Sequence, residues 1–175
     1  NFVRAAHYPY SRQLAKVADS LGLMLWEEIP VYWNIDWDNP ETLDIAINQI
    51  ERLIQRDWNR GSVIVWSVAN ETPFSSSRMN FLEEVISKVR ALDSSRLTTA
   101  ALLSGDRGEL QELILALSLL GVNSPEVSDK EKVIFKSFID QAGLDLTTKV
   151  QFKVEVNDPL GELVDLISYN EYFGW

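Results

Sequence analysis

With 175 residues, 46% of them hydrophobic, the chain is long enough for one well-buried domain and shows no compositional bias towards disorder. A formal net charge of -10 argues against nucleic acid or an anionic membrane surface as a partner, because both would repel it. The absence of cysteine rules out disulfides and thiolate metal sites, a single histidine leaves no metal-ligand spacing, and no run of about 18 apolar residues reads as a membrane span.

The chain starts at Asn1 on what reads as a buried strand, with no initiator Met or leader, and is therefore expected to be a piece of a larger protein. Arg4 and His7 stand at the exit of this strand. Leu14, Val17, Ala18 and Leu21 then share one helical face, with Ser11 placed as N-cap and Gly22 as the stop. A second apolar run, Leu23 to Trp26, exits into Glu27 and Glu28 before Pro30. The loop from Val31 to Asp38 sets Tyr32, Trp33 and Trp37 among Asn34, Asp36 and Asp38, and such rings suit the apolar C–H faces of sugars. Trp26 and Trp66, inside apolar runs, are expected in the core instead. Asn39 caps a long helix with Pro40 at its first position, and Leu43, Ala46, Ile47, Ile50, Leu53 and Ile54 recur at helical spacing until Asn59 to Gly61 stop it.

Ser62 to Ala69 is an almost unbroken apolar run that ends in Asn70, Glu71, Thr72 and Pro73. Continuous Val/Ile-rich patterning marks a strand covered on both faces, as in a parallel sheet under helices, and in such folds chemistry gathers at the carboxyl ends of strands. Asn70 and Glu71 are therefore the first candidates for function. Ser75 to Ser77 introduce a helix whose stripe is Leu82, Val85, Ile86, Val89 and Leu92, and Leu97 to Leu103 reads as the next strand. Repeated strand-helix alternation implies right-handed crossovers and an α/β barrel, of which five strands can be counted.

Residues 104–157 break the pattern and read as an insertion between barrel strands. Leu110 to Leu120 is a helix apolar nearly all round, Ser128 and Glu131 form a capping box ahead of Val133, Ile134, Phe138, Ile139 and Ala142, and Val150 to Val156 alternates as a half-exposed strand. Barrel logic returns at Val164 to Tyr169, followed by Asn170, Glu171 and Tyr172. No internal repeat and no Gly-rich phosphate loop is present.

Three ordered segments carry a family resemblance. Val65-Trp66-Ser67-Val68-Ala69-Asn70-Glu71-Thr72-Pro73 resembles the W-S-x-A-N-E-P acid/base segment of glycoside hydrolase family 2, which contains the β-glucuronidases and β-galactosidases. Phe2-Val3-Arg4-Ala5-Ala6-His7-Tyr8-Pro9-Tyr10 is similar to its F-R-T-S-H-Y-P-Y strand, and Asn170-Glu171-Tyr172-Phe173-Gly174-Trp175 to its N-x-Y-Y-G-W strand end. The resemblance implies an α/β fold, a partial (β/α)8 TIM barrel showing about five of the eight strands, with 1–175 a single catalytic-barrel fragment and 104–157 inserted into it. It implies a retaining hydrolase acting on a carbohydrate substrate without a cofactor.

Retention requires two carboxyl groups roughly 5 to 5.5 Å apart, one as acid/base and one as nucleophile. The resemblance places Glu71 as acid/base, a role that needs a proton held near neutral pH. It places Arg4 as support for the nucleophile, His7 against the sugar, Asn70 on a sugar hydroxyl, and Tyr172 near the nucleophile. The nucleophile itself is expected beyond Trp175, since Glu27, Glu28, Glu155 and Glu171 match no such position, so the fragment alone should be inactive. Which sugar is bound depends on features outside these residues. A second reading from another class is a non-catalytic or degenerate barrel serving association or carbohydrate binding, with the apolar helix and open strand edges inviting another chain or a second copy.

Overall fold

The sheet is wholly parallel, and its strands lie side by side in chain order: β1 (Phe2–Ala5), β2 (Met24–Glu28), β3 (Val63–Asn70), β4 (Leu97–Leu102) and β5 (Leu166–Tyr169). These elements come from a computed structural model that describes residues 1–102, 118, 121–141 and 157–170. Sequential order with right-handed crossovers puts the helices that connect β1 through β4 on the same side of the sheet, and the five strands make part of a (β/α)8 barrel. The chain divides into two compact units, Ser104–Asn157 and the remainder.

Local chemistry explains the helices of the barrel unit. Helix α1 (Arg12–Leu21) ends where Gly22 takes a left-handed φ of 65° and returns its N–H to the last turn. Ser11 stands at the N-cap in extended backbone, but its side chain makes no capping bond. Ala15 and Ala18 are buried, whereas Val17 and Leu21 remain exposed. The buried face is rotated towards Ala15 because α1 rests over β2 and beside the next helix, with β1 at the sheet edge.

Helix α2 (Pro40–Asp57) starts as the sequence implies, with Asn39 Oδ1 accepting from the Glu41 N–H at 2.9 Å and Pro40 in the first turn. It buries Ala46, Ile50, Leu53 and Ile54. Helix α3 (Ser76–Leu92) is capped by Ser75 Oγ on the Arg78 N–H at 3.1 Å and buries Phe81, Leu82, Val85, Ile86 and Val89. Each such aliphatic side chain contributes about 1.5–3 kcal/mol by leaving water. Seven of the eight residues of β3 are buried, with Ile64 the exception, so both faces of the strand are covered, and Trp26 and Trp66 lie in the core.

β2 runs through Glu27 and Glu28 instead of ending before them, and both carboxyl groups are buried. The sequence reading put these acids at the exit of the apolar run; inside the strand, Glu28 is compensated by the donors described below, whereas burial and a neighbouring carboxyl push Glu27 towards its neutral form. β5 is lashed to β4 by Asp165, whose Oδ2 accepts from the Thr98 N–H at 2.8 Å and from its hydroxyl at 2.7 Å.

In the unit Ser104–Asn157, helix α4 (Asp129–Gln141) carries the capping box: Ser128 donates to Glu131 Oε2 from its N–H at 2.9 Å and its hydroxyl at 2.5 Å, and the Glu131 N–H returns to Ser128 Oγ at 3.4 Å. Val133, Ile134 and Phe138 are exposed and Ile139 is buried. The helix expected over Leu110 to Leu120, apart from a buried helical Ser118, and the strand expected over Val150 to Val156 lie outside the described residues. Among the described residues no helix is long and apolar enough to cross a membrane.

Candidate active site

Neighbouring parallel strands in register present their side chains on the same face, so Arg4 on β1 stands beside Trp26 on β2, and Glu28 follows two residues on. Glu28 is 1% exposed and accepts four hydrogen bonds. Its Oε2 takes Trp26 Nε1 at 2.8 Å and Arg4 Nε at 3.1 Å, and its Oε1 takes His7 Nδ1 at 2.9 Å and Arg4 Nη2 at 3.3 Å. A buried carboxylate so supplied is compensated in charge and in hydrogen bonding. Because it only accepts, the His7 proton sits on Nδ1, and Nε2 is the atom the ring can offer a ligand.

Arg4 passes the order onward. Its guanidinium lies over the Trp26 ring, 4.6 Å from the centroid, and its far nitrogens donate to two amides: Nη2 to Asn70 Oδ1 at 2.6 Å and Nη1 to Asn170 Oδ1 at 2.7 Å. Asn170, directly after β5, then donates from Nδ2 to Asn70 Oδ1 at 3.1 Å and to Glu71 Oε1 at 2.7 Å. A continuous chain of contacts thus runs from buried Glu28 to partly exposed Glu71, through the ends of β1, β3 and β5.

Glu71 is held on both flanks. Its N–H donates to the Ala101 carbonyl at 2.8 Å, which extends the β3–β4 pairing by one step, and its φ of 49° then turns the chain off the sheet. A left-handed backbone at a non-glycine residue costs of order 1–3 kcal/mol and persists only where its surroundings fix it. Next in the chain, Thr72 Oγ1 accepts from Arg78 Nε at 2.8 Å, and the fully buried Arg78 grips Asp158 through both terminal nitrogens at 2.8 Å each. On the outer side, Trp33 Nε1 donates to Glu71 Oε2 at 3.3 Å.

Of the residues singled out from the sequence, Arg4, His7, Asn70 and Glu71 are brought together, and Tyr172 lies outside the described residues. Of the loop aromatics, Trp33 reaches Glu71, whereas Trp37 packs edge-on against Phe81 at 5.2 Å and bonds Asn34. Sequence reasoning passed over Glu28 and Asn170 as site residues. The available signal was position: each stands at the carboxyl end of a parallel strand, as Asn70 does.

Glu27 points to the opposite face of β2 from Glu28. Burial, then the neighbouring Asp57 carboxyl, push it up from the ordinary glutamate range to about 7, against the opposing pull of Arg56, whose Nη2 lies 3.6 Å from Glu27 Oε1. Among the described residues no group of three or more His, Cys, Asp or Glu side chains could hold a metal ion.

Residues 1–119, which hold the parallel strands β1 to β4 and their connecting helices, match the family model described as glycosyl hydrolases family 2, TIM barrel domain. The chain belongs to glycosyl hydrolase family 2. It is 41% identical over 68 residues to a β-galactosidase of Thermoanaerobacterium thermosulfurigenes, covering 39% of this chain and 9% of that protein. It is 34% identical over 103 residues to a β-glucuronidase of Chlorocebus aethiops, covering 57% and 16%. The solved β-D-glucuronidase of Dictyoglomus thermophilum superposes with a TM-score of 0.54 at 32% identity, covering 58% of this chain and 20% of that one. The chain spans less than a quarter of the length of these relatives.

Proposed function

We propose that this chain is the acid/base-bearing part of a retaining β-glycosidase barrel of β-glucuronidase or β-galactosidase type, with residues 104–157 inserted between barrel strands. Glu71 protonates the leaving oxygen as the bond to the sugar carbon breaks, then takes a proton from the water that releases the sugar. The nucleophile is a glutamate beyond residue 175. Arg4 supports it, Tyr172 contributes a hydroxyl near it, His7 contacts the sugar, and Asn70 holds a sugar hydroxyl. Asn70 spends Oδ1 on Arg4 and Asn170, so its amide N–H groups are what it offers a substrate.

One observation carries the reading: a glutamate carboxyl standing at the sheet mouth between Asn170 and Trp33, on a backbone conformation its neighbours enforce. Steady-state hydrolysis of β-glucuronides and β-galactosides by the full-length protein tests it. Glu71→Gln lowers turnover by several orders of magnitude, most for substrates whose leaving group needs protonation, and unchanged turnover would refute the assignment. Residues 1–175 alone carry one of the two carboxyl groups and turn over neither substrate.

A further inference from the structure

Trp33 is about 65% exposed, yet it is built into the sheet and not hung on a loose loop. Its N–H donates to the Asn70 carbonyl at 3.0 Å, the Asn70 N–H donates to the Val31 carbonyl at 2.9 Å, and Tyr32 bridges Asn70, so Val31 to Trp33 lie along the end of β3 as a short parallel extension. The Trp33 φ of 56° is left-handed, an unfavourable conformation for a bulky side chain that costs of order 1–3 kcal/mol. Its product is the placement of the indole: edge-on to Tyr32 at 5.6 Å between centroids, and 3.3 Å from Glu71 Oε2. Trp33 and Glu71 are the two non-glycine residues with positive φ among the described residues, and they meet across this contact.

Acid catalysis fixes what stands beside that ring. The leaving oxygen must come within hydrogen-bond reach of the Glu71 carboxyl to receive its proton; the electron pair of the breaking bond stays on that oxygen, and a neutral alcohol departs. The group attached to the oxygen therefore lies next to a carboxyl whose neighbour is an exposed, immobilised indole. From this geometry, and resting on the acid/base reading of Glu71, we propose that Trp33 is the wall of the leaving-group subsite and favours β-glycosides whose leaving group presents a flat apolar face.

Benzyl and methyl alcohols leave with similar ease but differ in the face they offer, so the benzyl and methyl β-glycosides of glucuronic acid and of galactose are suitable probes for the full-length protein. Trp33→Ala lowers the ratio of kcat/KM for benzyl over methyl by about tenfold, and Trp33→Phe, which keeps a ring but loses the N–H, retains most of the ratio. An unchanged ratio in both variants overturns the proposal. Equal losses on both probes, the same for Ala and Phe, also overturn it, because they assign Trp33 to orienting Glu71 through its N–H. Disaccharides with the same terminal sugar show whether the face preferred is aromatic or that of a second sugar; a Trp33→Ala loss as large on these as on benzyl indicates the latter and supports the subsite. Glu71→Gln in parallel separates the two levels: full activity in that variant removes the acid/base reading, whereas loss of activity with an unchanged Trp33 ratio removes the subsite alone.

Discussion

Asn170 donates from Nδ2 to Glu71 Oε1 at 2.7 Å although 99 residues separate the two in the chain. The same amide accepts from Arg4 through Oδ1, which fixes the orientation in which it can serve the carboxyl. As Glu71 gives up its proton it gains the charge that this N–H stabilises, and a hydrogen bond to a charged group is worth about 1.5–3 kcal/mol, so Asn170→Ala in the full-length protein is expected to lower kcat by roughly ten- to a hundredfold. KM should move less, since the amide touches the acid and not the sugar. Steady-state kinetics with a far-ultraviolet spectrum for folding checks this, and an effect confined to KM would place Asn170 on the substrate instead.

Glu28 is the buried anchor of Arg4 and His7, and under the proposed function it positions and does not react. Glu28→Gln keeps the shape but turns an acceptor-only group into one that presents its own N–H towards three donor side chains, leaving half-buried Arg4 without its counter-charge. A loss of about 3 kcal/mol in stability is expected from breaking such a pair. Urea unfolding followed by tryptophan emission measures it; activity should fall at the same time because His7 loses the partner that holds its proton on Nδ1.

Much of this architecture was legible because it is local. Asn39 with Pro40, Ser75 and the Ser128–Glu131 box sit where side chains compete for the first free N–H groups of a helix, and β3 announces itself by burial on both faces. Arg4, His7, Asn70 and Glu71 could be read from the order of three motifs. The rest depends on register. Which of Glu27 and Glu28 faces the site is decided by strand alternation, and the form in which each is buried is decided by neighbours such as Asp57 and Arg4, both distant in the chain and neither implied by periodicity. Asn170 met Glu71 through pairing of β4 with β5, across a segment of more than fifty residues whose pattern says nothing about where β5 returns. Trp33 and Trp37 looked alike in composition; only the pairing of Val31 to Trp33 with the end of β3 separates them.

Arg78 and Asp158 tie the loop after Glu71 to the segment leading into β5. Arg78 has no exposed surface and donates twice to Asp158, while its Nε holds Thr72 next to Glu71. Arg78→Met or Asp158→Asn alone strands a buried charge or its donors and is expected to cost about 3–5 kcal/mol. The pair Arg78→Met with Asp158→Asn should cost clearly less than the two single losses added, because no unpaired charge remains. Denaturant titration of all four forms provides the cycle, and strictly additive losses would show that the pair acts independently.

Glu27 and Asp57 predict a pH dependence opposite in sign to ordinary acid denaturation. Glu27 is raised in the folded state from its usual 4.5 to about 7, chiefly by burial and then by Asp57, so between these values the folded chain holds a proton that the unfolded chain has released. Stability therefore falls as pH climbs from about 4.5 towards 7 and is level above, with a ceiling of about 3 kcal/mol from the size of the shift. Asp19, Asp93, Asp165 and Glu131 are all lowered by hydrogen bonds to their folded-state partners, and their contributions are lost only at more acidic pH, outside this window. Glu27→Gln keeps a donor for Asp57 but removes the titration. Its urea midpoint should match the parent near pH 5, exceed it at pH 8, and show little change between the two; a variant that kept the parent's slope would assign the proton to another group.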